Sequence, residues 1–382
     1  MTGDDLREPG EALVRDLVTR HGTIYGLEEA QVMLDCLAAD APTKGPRVLE
    51  FEQAFADFVG VKHAIAVSSG TSALTVALRA AGVGPGDEVI VPTITWVATA
   101  NAAVLLGAEV VFADVQPDTL NIDPADVARK ITERTKAIIP VHLYGQAVDM
   151  DGLNALAQEK GLIIIEDAAH APGGAYRGRR TGSLGHLGAF SFHMQKNMST
   201  LGEGGMVTTN DDAMAAKARD FRSHGQVEDF TDIGANYRMT DMQAAVGLVQ
   251  LGRLPHLNDV RRRNAHLLRS RLEDTRGVVL LEDIADVLHV YHMFATVIRP
   301  EVVGTGRDQF VQRLAEYSVL AGTHYACVHL RPCYRKRGHG EGECPIAERF
   351  APQIVTLPIH PRMTLEQVEH MARAVRFAAH AD

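Results

Sequence analysis

Short apolar runs alternate with helical stretches between residue 48 and about residue 209, and this alternation limits the folds that the chain can adopt. The β-type runs lie at residues 64–67, 88–91, 109–113, 137–141 and 162–165, with two more at 188–192 and 206–209. Helical stretches separate the first five, at residues 71–81, 96–106, 124–130 and 149–160. Because strand–helix–strand units with apolar strands build parallel sheets covered on both faces, we expect an α/β fold with a large, mostly parallel sheet.

The pattern changes after about residue 250. A charged helical stretch at 256–274 precedes β-type runs at 278–281 and 290–298 and helical patterns at 307–317 and 364–379. A chain of 382 residues is long enough for two cores rather than one. We therefore expect an N-terminal segment and large α/β domain at residues 1–250, and a smaller α+β domain at residues 251–382.

Composition narrows the class of protein. The formal net charge is −10 at pH 7, which argues against nucleic acid or an anionic membrane as the main partner. The acidic first ten residues do not resemble a secretory signal, and no run approaches the roughly 20 apolar residues of a membrane span. Four scattered cysteines indicate reduced thiols rather than a disulfide framework or a metal site. These features predict a cytoplasmic protein.

The predicted strands place polar segments at one edge of the sheet. Ligands of open α/β folds bind at the carboxyl ends of strands. That rule selects residues 68–72, 92–96, 142–145, 166–170 and 191–196, which we expect to surround one site.

The first of these segments is SSGTSAL, between a strand and a helix. Gly70 allows close approach of a ligand, while the hydroxyls of Thr71 and Ser72 lie beside free N–H groups of the helix, where phosphate binds well. The same residues also suit a simple helix cap, so both interpretations stand.

Two further motifs carry ionisable groups. In LIIIEDAAHAPG, Asp167 ends a buried strand, where it either binds a cationic ring nitrogen or caps the next turn. His170 follows and either faces the same cavity or belongs to the core. In SFHMQKNMSTLGEGG, Lys196 follows an apolar strand and precedes a glycine-rich turn. A lysine shielded from water has the lowered pKa that Schiff-base chemistry requires.

A fourth motif, ANYRMTDMQAAVGLVQL, begins with a loop that contains Asn236. Thr240 is the predicted N-cap of the Ala-rich helix that follows. The loop residues either bind a ligand or tether this helix.

Together and in this order, the motifs resemble the DegT/DnrJ/StrS family of aminotransferases that depend on pyridoxal 5′-phosphate (PLP). The similarity runs from about residue 23 to about residue 364. It includes TKGPRVLEFE, SGTSAL, GDEVIVPTITWVATANA, VHLYGQAVDMD, EDAAHA, SFHMQKN with GEGG, NYRMTDMQAAVGLVQL and TLPIHPRMT. The resemblance implies PLP-dependent transferase fold type I, which is aspartate-aminotransferase-like, and a homodimer with active sites at the interface.

The resemblance also implies roles for individual residues. Lys196 matches the lysine that holds PLP covalently, and Asp167 matches the partner of its pyridine nitrogen. His170 lies near the ring hydroxyl, and Trp96, the only tryptophan, stacks on the ring. The phosphate contacts are Gly70, Thr71, Ser72 and Ser191, with Asn236 reaching across from the other subunit.

The implied reaction moves an amino group from L-glutamate or L-glutamine, through pyridoxamine 5′-phosphate (PMP), to a keto sugar or keto cyclitol. A nucleotide-linked sugar is one acceptor, in amino-sugar or antibiotic biosynthesis. His324 and Tyr325 match a segment on the acceptor side. A basic cluster at residues 331–337 either meets a diphosphate or is a solvated surface.

Two alternatives and one departure complete these expectations. Sugar dehydratases of the same fold typically carry histidine in place of Lys196, and a regulatory relative without activity would not need Lys196, Asp167 and Ser191 together. The departure is Leu201, an extra residue between Thr200 and Gly202, which we expect to bulge the loop after Lys196.

Overall fold

The computed structural model describes residues 24–39, 45–226 and 229–380. Its largest sheet contains the strands β1 (His63–Val67), β2 (Glu88–Pro92), β3 (Glu109–Ala113), β4 (Thr135–Ile138) and β5 (Ile163–Asp167). A separate small sheet pairs β6 (Ala175–Tyr176) with β7 (Arg179–Arg180), and the large sheet resumes with β8 (Leu187–Ser191) and β9 (Gly205–Thr209). The order across the large sheet is β1-β9-β8-β5-β4-β2-β3, and β9 runs antiparallel to both its neighbours. The expected α/β fold with a mostly parallel sheet is confirmed.

Helices cover both faces of this sheet. The N-terminal ones are α1 (Leu27–Ala38), α2 (Pro46–Val59), α3 (Gly70–Ala80), α4 (Ala98–Leu105), α5 (Pro124–Lys130), α6 (Met150–Lys160) and α7 (Asp212–Arg222). α3, α4 and α7 share one core with alternate strand residues such as Ile65 and Val67. α2 packs on the opposite face against Ala64 and Ala66. Successive strand residues point to opposite faces, so both faces are apolar and buried.

The chain then enters α8 (Asp241–Leu272), a helix of 32 residues. Thr240 caps it as expected, because its hydroxyl accepts a hydrogen bond from the Gln243 backbone N–H. The sequence predicted a separate charged helix from residue 256, but the helix is continuous through Pro255. Proline costs about 3 kcal/mol inside a helix. Burial of Leu251 and Leu254 on one side of Pro255 and of Ala265 on the other outweighs that cost.

The C-terminal part forms a second, antiparallel layer. Its strands are β10 (Val278–Leu280), β11 (Val287–Leu288), β12 (Phe294–Ile298) and β13 (Ile354–Leu357), of which β10, β12 and β13 make one sheet and β11 joins β6. Its helices are α9 (Pro300–Val303), α10 (Arg307–Glu316), α11 (Pro332–Arg335), α12 (Pro345–Phe350) and α13 (Leu365–His380). The boundary predicted at residue 250 falls inside α8, which contributes to the cores of both layers. The division into domains stays a prediction.

Candidate active site

A cavity of about 320 Å³ opens where the large sheet meets the C-terminal layer. Four of the five segments expected to surround one site contribute to its walls, through residues Ser69, Gly70, Thr71, Thr95, Trp96, Asp167, Ala169, His170, Ser191, His193, Gln195 and Lys196. The fifth segment, residues 142–145, does not line it. His142 turns instead to Glu166, 2.8 Å away, and the Tyr144 hydroxyl donates to the backbone carbonyl of His324.

Lys196 lies just beyond the end of β8, and its side chain faces this cavity. Its backbone N–H donates to the carbonyl of His193 at 2.8 Å, which fixes the turn that carries it. Enclosure by protein lowers the pKa of Lys196 to about 8, against a smaller opposing effect from Asp167. The amine therefore exchanges its proton close to neutral pH, as a nucleophile or proton carrier must.

Asp167 ends β5 and is 6% exposed. One carboxylate oxygen accepts from the Thr99 hydroxyl at 2.8 Å and the other from the Ala169 backbone N–H at 3.2 Å. Burial raises the pKa of Asp167, and these hydrogen bonds and the Lys196 charge oppose the rise. A carboxylate accepts more than two bonds, so Asp167 retains acceptor capacity toward the cavity.

His170 forms part of a stack of rings at the cavity wall. Its Nε2 lies 3.2 Å from the Tyr325 hydroxyl, and its ring centroid lies 4.4 Å from that of His292. The buried Nδ1 atom has no partner among the described residues. Burial, with a smaller effect from the Lys196 charge, holds the pKa of His170 well below its usual value. The ring is therefore neutral at physiological pH.

The N-terminus of α3 supplies the expected anion cradle. Ser69 is the N-cap, and the N–H groups of Gly70 and Thr71 begin the helix at the cavity. A Cβ atom on Gly70 would lie 2.6 Å from the Cβ of Ser191, so only glycine allows this approach. Ser72 is buried instead, and its hydroxyl lies within 2.9 Å of the hydroxyls of Ser68 and Ser69. It supports the cradle without lining the cavity.

The residue after Lys196 is held by a network of amides. The Asn197 side chain donates to Asn258 Oδ1 at 2.9 Å and to the carbonyl of Val290 at 3.1 Å. His292 Nδ1 lies 3.1 Å from Asn197 Oδ1. Because α8 and the chain before β12 both contribute, the loop that carries Lys196 is positioned from two sides.

Aromatic side chains close the outer part of the cavity. Trp96 is 60% exposed, and its ring centroid lies 6.2 Å from that of Tyr325. His324 and Tyr325, expected on the acceptor side, both line the cavity. Asn236 is exposed and lies outside this cavity. The structure thus gathers every predicted site residue except Ser72 and Asn236 at the cavity wall.

A family model decides the identity of the chain. The model of the DegT/DnrJ/EryC1/StrS aminotransferase family matches residues 24–376. The chain belongs to this family. It is 41% identical to GDP-perosamine synthase from Caulobacter vibrioides (strain ATCC 19089 / CIP 103742 / CB 15) over 353 residues. This alignment covers 91% of this chain and 94% of that protein.

Solved structures agree with the family. The X-ray structure of S. venezuelae DesV has a TM-score of 0.89 at 38% identity. The match covers 93% of this chain and 95% of the DesV chain. The PLP-form of the putative sugar aminotransferase Spr1654 from Streptococcus pneumoniae has a TM-score of 0.90 at 28% identity and covers 95% and 98%. The expected fold type I is confirmed, and the protein is a PLP-dependent aminotransferase with sugar aminotransferases among its relatives.

Several groups at the site of this aminotransferase were missed from the sequence. They are Thr99, Glu203, His292 and Met293, while Ser69 lies in the expected segment 68–72 but was given no role of its own. Ser69 had a readable signal, because serine directly before a helix is a strong N-cap. His292 had none, since it lies in a β-type run predicted to continue through residue 298. The strand begins only at Phe294.

The extra residue Leu201 lies at the tip of the loop between β8 and β9. It adopts a left-handed φ of 62° and is 40% exposed, and it does not line the cavity. The loop stays anchored on both sides of this tip, since Thr200 N–H donates to the Phe192 carbonyl and Met194 N–H to the Gly202 carbonyl. The extra residue is accommodated at the surface.

Other groups lie away from the site. Arg331, Arg335, Lys336 and Arg337 are exposed around α11, and none lines the cavity. Within the described ranges, His, Cys, Asp and Glu side chains form no group of three that could hold a metal ion. Among the same residues, no helix is long and apolar enough to span a bilayer.

Proposed function

We propose that Lys196 is the residue to which PLP binds, and that the enzyme transfers an amino group from L-glutamate or L-glutamine to a nucleotide-linked keto sugar. The observation that carries this assignment is the meeting of three groups in one cavity. They are the enclosed amine of Lys196, the buried carboxylate of Asp167 and the helix N-terminus at Gly70 and Thr71.

The residues fit each part of the cofactor. The glycine-bounded cradle at Gly70 and Ser191 suits its phosphate. The free acceptor capacity of Asp167 suits a protonated pyridine nitrogen, and the unpartnered Nδ1 of His170 suits the ring hydroxyl. Trp96 lies at the cavity mouth, where its indole can stack on the ring.

The cofactor supplies an aldehyde for the incoming amine and a ring that delocalises the electrons released at the donor's Cα. Lys196 Nζ would take the proton from that carbon and deliver it to the cofactor carbon that carried the aldehyde, since its pKa of about 8 lets it hold or release a proton near neutral pH. Asp167 holds the proton on the pyridine nitrogen, and the cavity walls shield both transfers from water.

One relative supports the proposed acceptor. GDP-perosamine synthase, 41% identical to this chain, is named for a nucleotide-linked product. A keto cyclitol of antibiotic biosynthesis is the second candidate. Incubation of the PMP-loaded enzyme with each acceptor class and mass spectrometry of the product would separate them, because only the true acceptor gains an amine.

The homodimer is proposed from the position of Asn236. This residue is exposed and lies outside its own chain's cavity, so it is free to reach the phosphate in a partner's site. The cytoplasmic location stays a prediction.

Borohydride reduction tests the central assignment. We expect reduction of the holoenzyme followed by peptide mapping to place the label on Lys196. L-glutamate added beforehand should bleach the yellow cofactor and prevent labelling. A label on another lysine would overturn the assignment.

A further inference from the structure

A side pocket of about 50 Å³ adjoins the main cavity. The two share four wall residues, Gln195, His292, Met293 and His324. The far wall of the side pocket is formed by Arg261 on α8 and by the end of β13 with the residues that follow. The pocket therefore lies beside the cavity, between the two layers of the molecule.

Arg261 is a buried cation without an acidic partner. It is 4% exposed, and its Nη1 donates to the Ile359 carbonyl at 2.7 Å and to the Tyr291 carbonyl at 3.5 Å. Its buried Nε has no partner, and no carboxylate in the described ranges forms an ion pair with it. Burial lowers the pKa of Arg261 to about 10, so the side chain is still charged at neutral pH.

An isolated buried charge is costly unless a counter-charge reaches it. The walls of the side pocket contain no acidic side chain. A planar guanidinium with unused donors binds a carboxylate strongly and with defined geometry. The volume corresponds to about three or four water-sized spheres, enough for a carboxylate but too little for a sugar ring.

We propose that Arg261 binds a carboxylate of the amino donor in this side pocket while the donor's amino group reaches the position of Lys196. The inference rests on the proposed function, since it assigns a carboxylate of the donor to the side pocket and leaves the main cavity for the acceptor. Arg261 lines the side pocket and Lys196 lines the main cavity, and His292 belongs to the walls of both, so the two cationic groups belong to adjoining spaces.

The alternative role for Arg261 is purely structural, because its two carbonyl contacts tie α8 to the chain after β13. Glutarate separates the two roles, since it carries the carboxylates of the donor but no amine. We expect Arg261→Met to weaken glutarate binding to the holoenzyme at least tenfold by calorimetry, and Arg261→Lys to weaken it severalfold. Arg263→Met, two positions along α8 on its exposed side, is the control and should bind as the wild type does.

The donor half-reaction distinguishes the two carboxylates. The change in cofactor absorbance on adding L-glutamate should slow in Arg261→Met, while amination of the acceptor by the PMP form should not. An equal penalty with L-glutamine assigns the α-carboxylate to Arg261, and a penalty confined to L-glutamate assigns the side-chain carboxylate.

Wild-type glutarate affinity in folded Arg261→Met, or in Arg261→Lys if the methionine variant does not fold, would refute the assignment. The borohydride label on Lys196 would be unaffected by that result. A label elsewhere, with glutarate binding still dependent on Arg261, would instead overturn the proposed function alone.

Discussion

The end of β5 carries two neighbouring carboxylates in opposite surroundings. Glu166 is fully buried and accepts hydrogen bonds of 2.6–2.7 Å from three backbone N–H groups of residues 182–185. His142 Nε2 lies 2.8 Å from it. Because Val148 N–H donates to His142 Nδ1, the ring proton is on Nε2 and points at Glu166. Asp167 faces the cavity, and among the described residues its carboxylate has Thr99 and Ala169 as donors.

The comparison assigns Glu166 a structural role and Asp167 a role at the site. Glu166 fastens a loop to the strand, and its acceptor sites are filled by the protein. Asp167 is also buried but has unfilled acceptor capacity, and burial raises its pKa. A buried ionisable group that the protein leaves partly unsatisfied marks the place where a ligand completes the set.

The largest expected effect comes from Lys196→Ala on the cavity side. Turnover should fall by several orders of magnitude, because one amine is both the covalent anchor and the proton carrier. Steady-state kinetics and the loss of the absorbance band of the lysine-bound cofactor would measure it. Near-normal turnover would contradict the role of Lys196.

Asp167→Asn should cost at least about a hundredfold in kcat, since one preorganised electrostatic group commonly contributes that much. The amide oxygen can still accept from the Ala169 N–H and the new NH2 group can donate to the Thr99 hydroxyl, so the thermal midpoint should change little. Kinetics and calorimetric melting of the same preparation would test both halves. A large fall in the melting temperature would show that Asp167 is architectural, like Glu166.

Glu166→Gln should produce the converse result. The buried site loses its charge opposite three N–H groups and His142, which we expect to cost roughly 3 kcal/mol in the free energy of unfolding. Folded protein should keep most of its kcat, because Glu166 does not line the cavity. Urea unfolding gives the first quantity, and a kcat loss matching that of Asp167→Asn would erase the distinction between the two residues.

The last expected effect is a pH dependence of stability in the cofactor-free protein. The pKa of Lys196 is lowered from 10.5 to about 8 on folding. Between these values the unfolded chain binds the proton more, so the free energy of unfolding should rise with pH, by up to about 3 kcal/mol. Below pH 8 the half-buried ammonium carries the full cost of its desolvation, and Lys196→Met should then be more stable than the wild type.

Urea titrations at pH 7 and pH 10.5 would measure this difference, which should shrink at the higher pH. Glu166→Gln is the control. Its loss in free energy of unfolding relative to the wild type should not shrink between pH 7 and pH 10.5. If the difference in free energy of unfolding between Lys196→Met and the wild type were the same at both pH values, the pKa of Lys196 would not be lowered in the folded protein.

Most of the large sheet could be predicted, because fully buried strands are nearly continuous apolar runs. β4 lies at Thr135–Ile138, so it begins two residues and ends three residues before the predicted run 137–141. The predicted run contained Pro140, which has no N–H for a ladder. Its carbonyl instead accepts from Asp167 N–H at 2.8 Å. The run at 290–298 was overlong because Tyr291 has a φ of 42° and Val290 uses its carbonyl for Asn197.

The site was predictable where a motif contains both the chemistry and its setting, as around Lys196 and Asp167. It was not predictable where a residue arrives from a distant element. Thr99 reaches Asp167 from α4, 68 positions away, and Asn258 reaches Asn197 from α8, 61 positions away. Nothing local in the sequence marks either pairing, because the contact depends on how whole helices pack.

The continuous α8 has a mechanical consequence. Asn258 holds Asn197 and the carbonyl of Pro172 on one layer, and Arg261, three residues on, holds the carbonyl of Ile359 on the other. Asn258 and Arg261 are separated by about 4.5 Å along the axis of this one helix. Inserting one residue between them would rotate one side chain by about 100° relative to the other and break the contacts that join the two layers. An inserted residue is therefore tolerated at a surface loop tip such as Leu201 but not between Asn258 and Arg261.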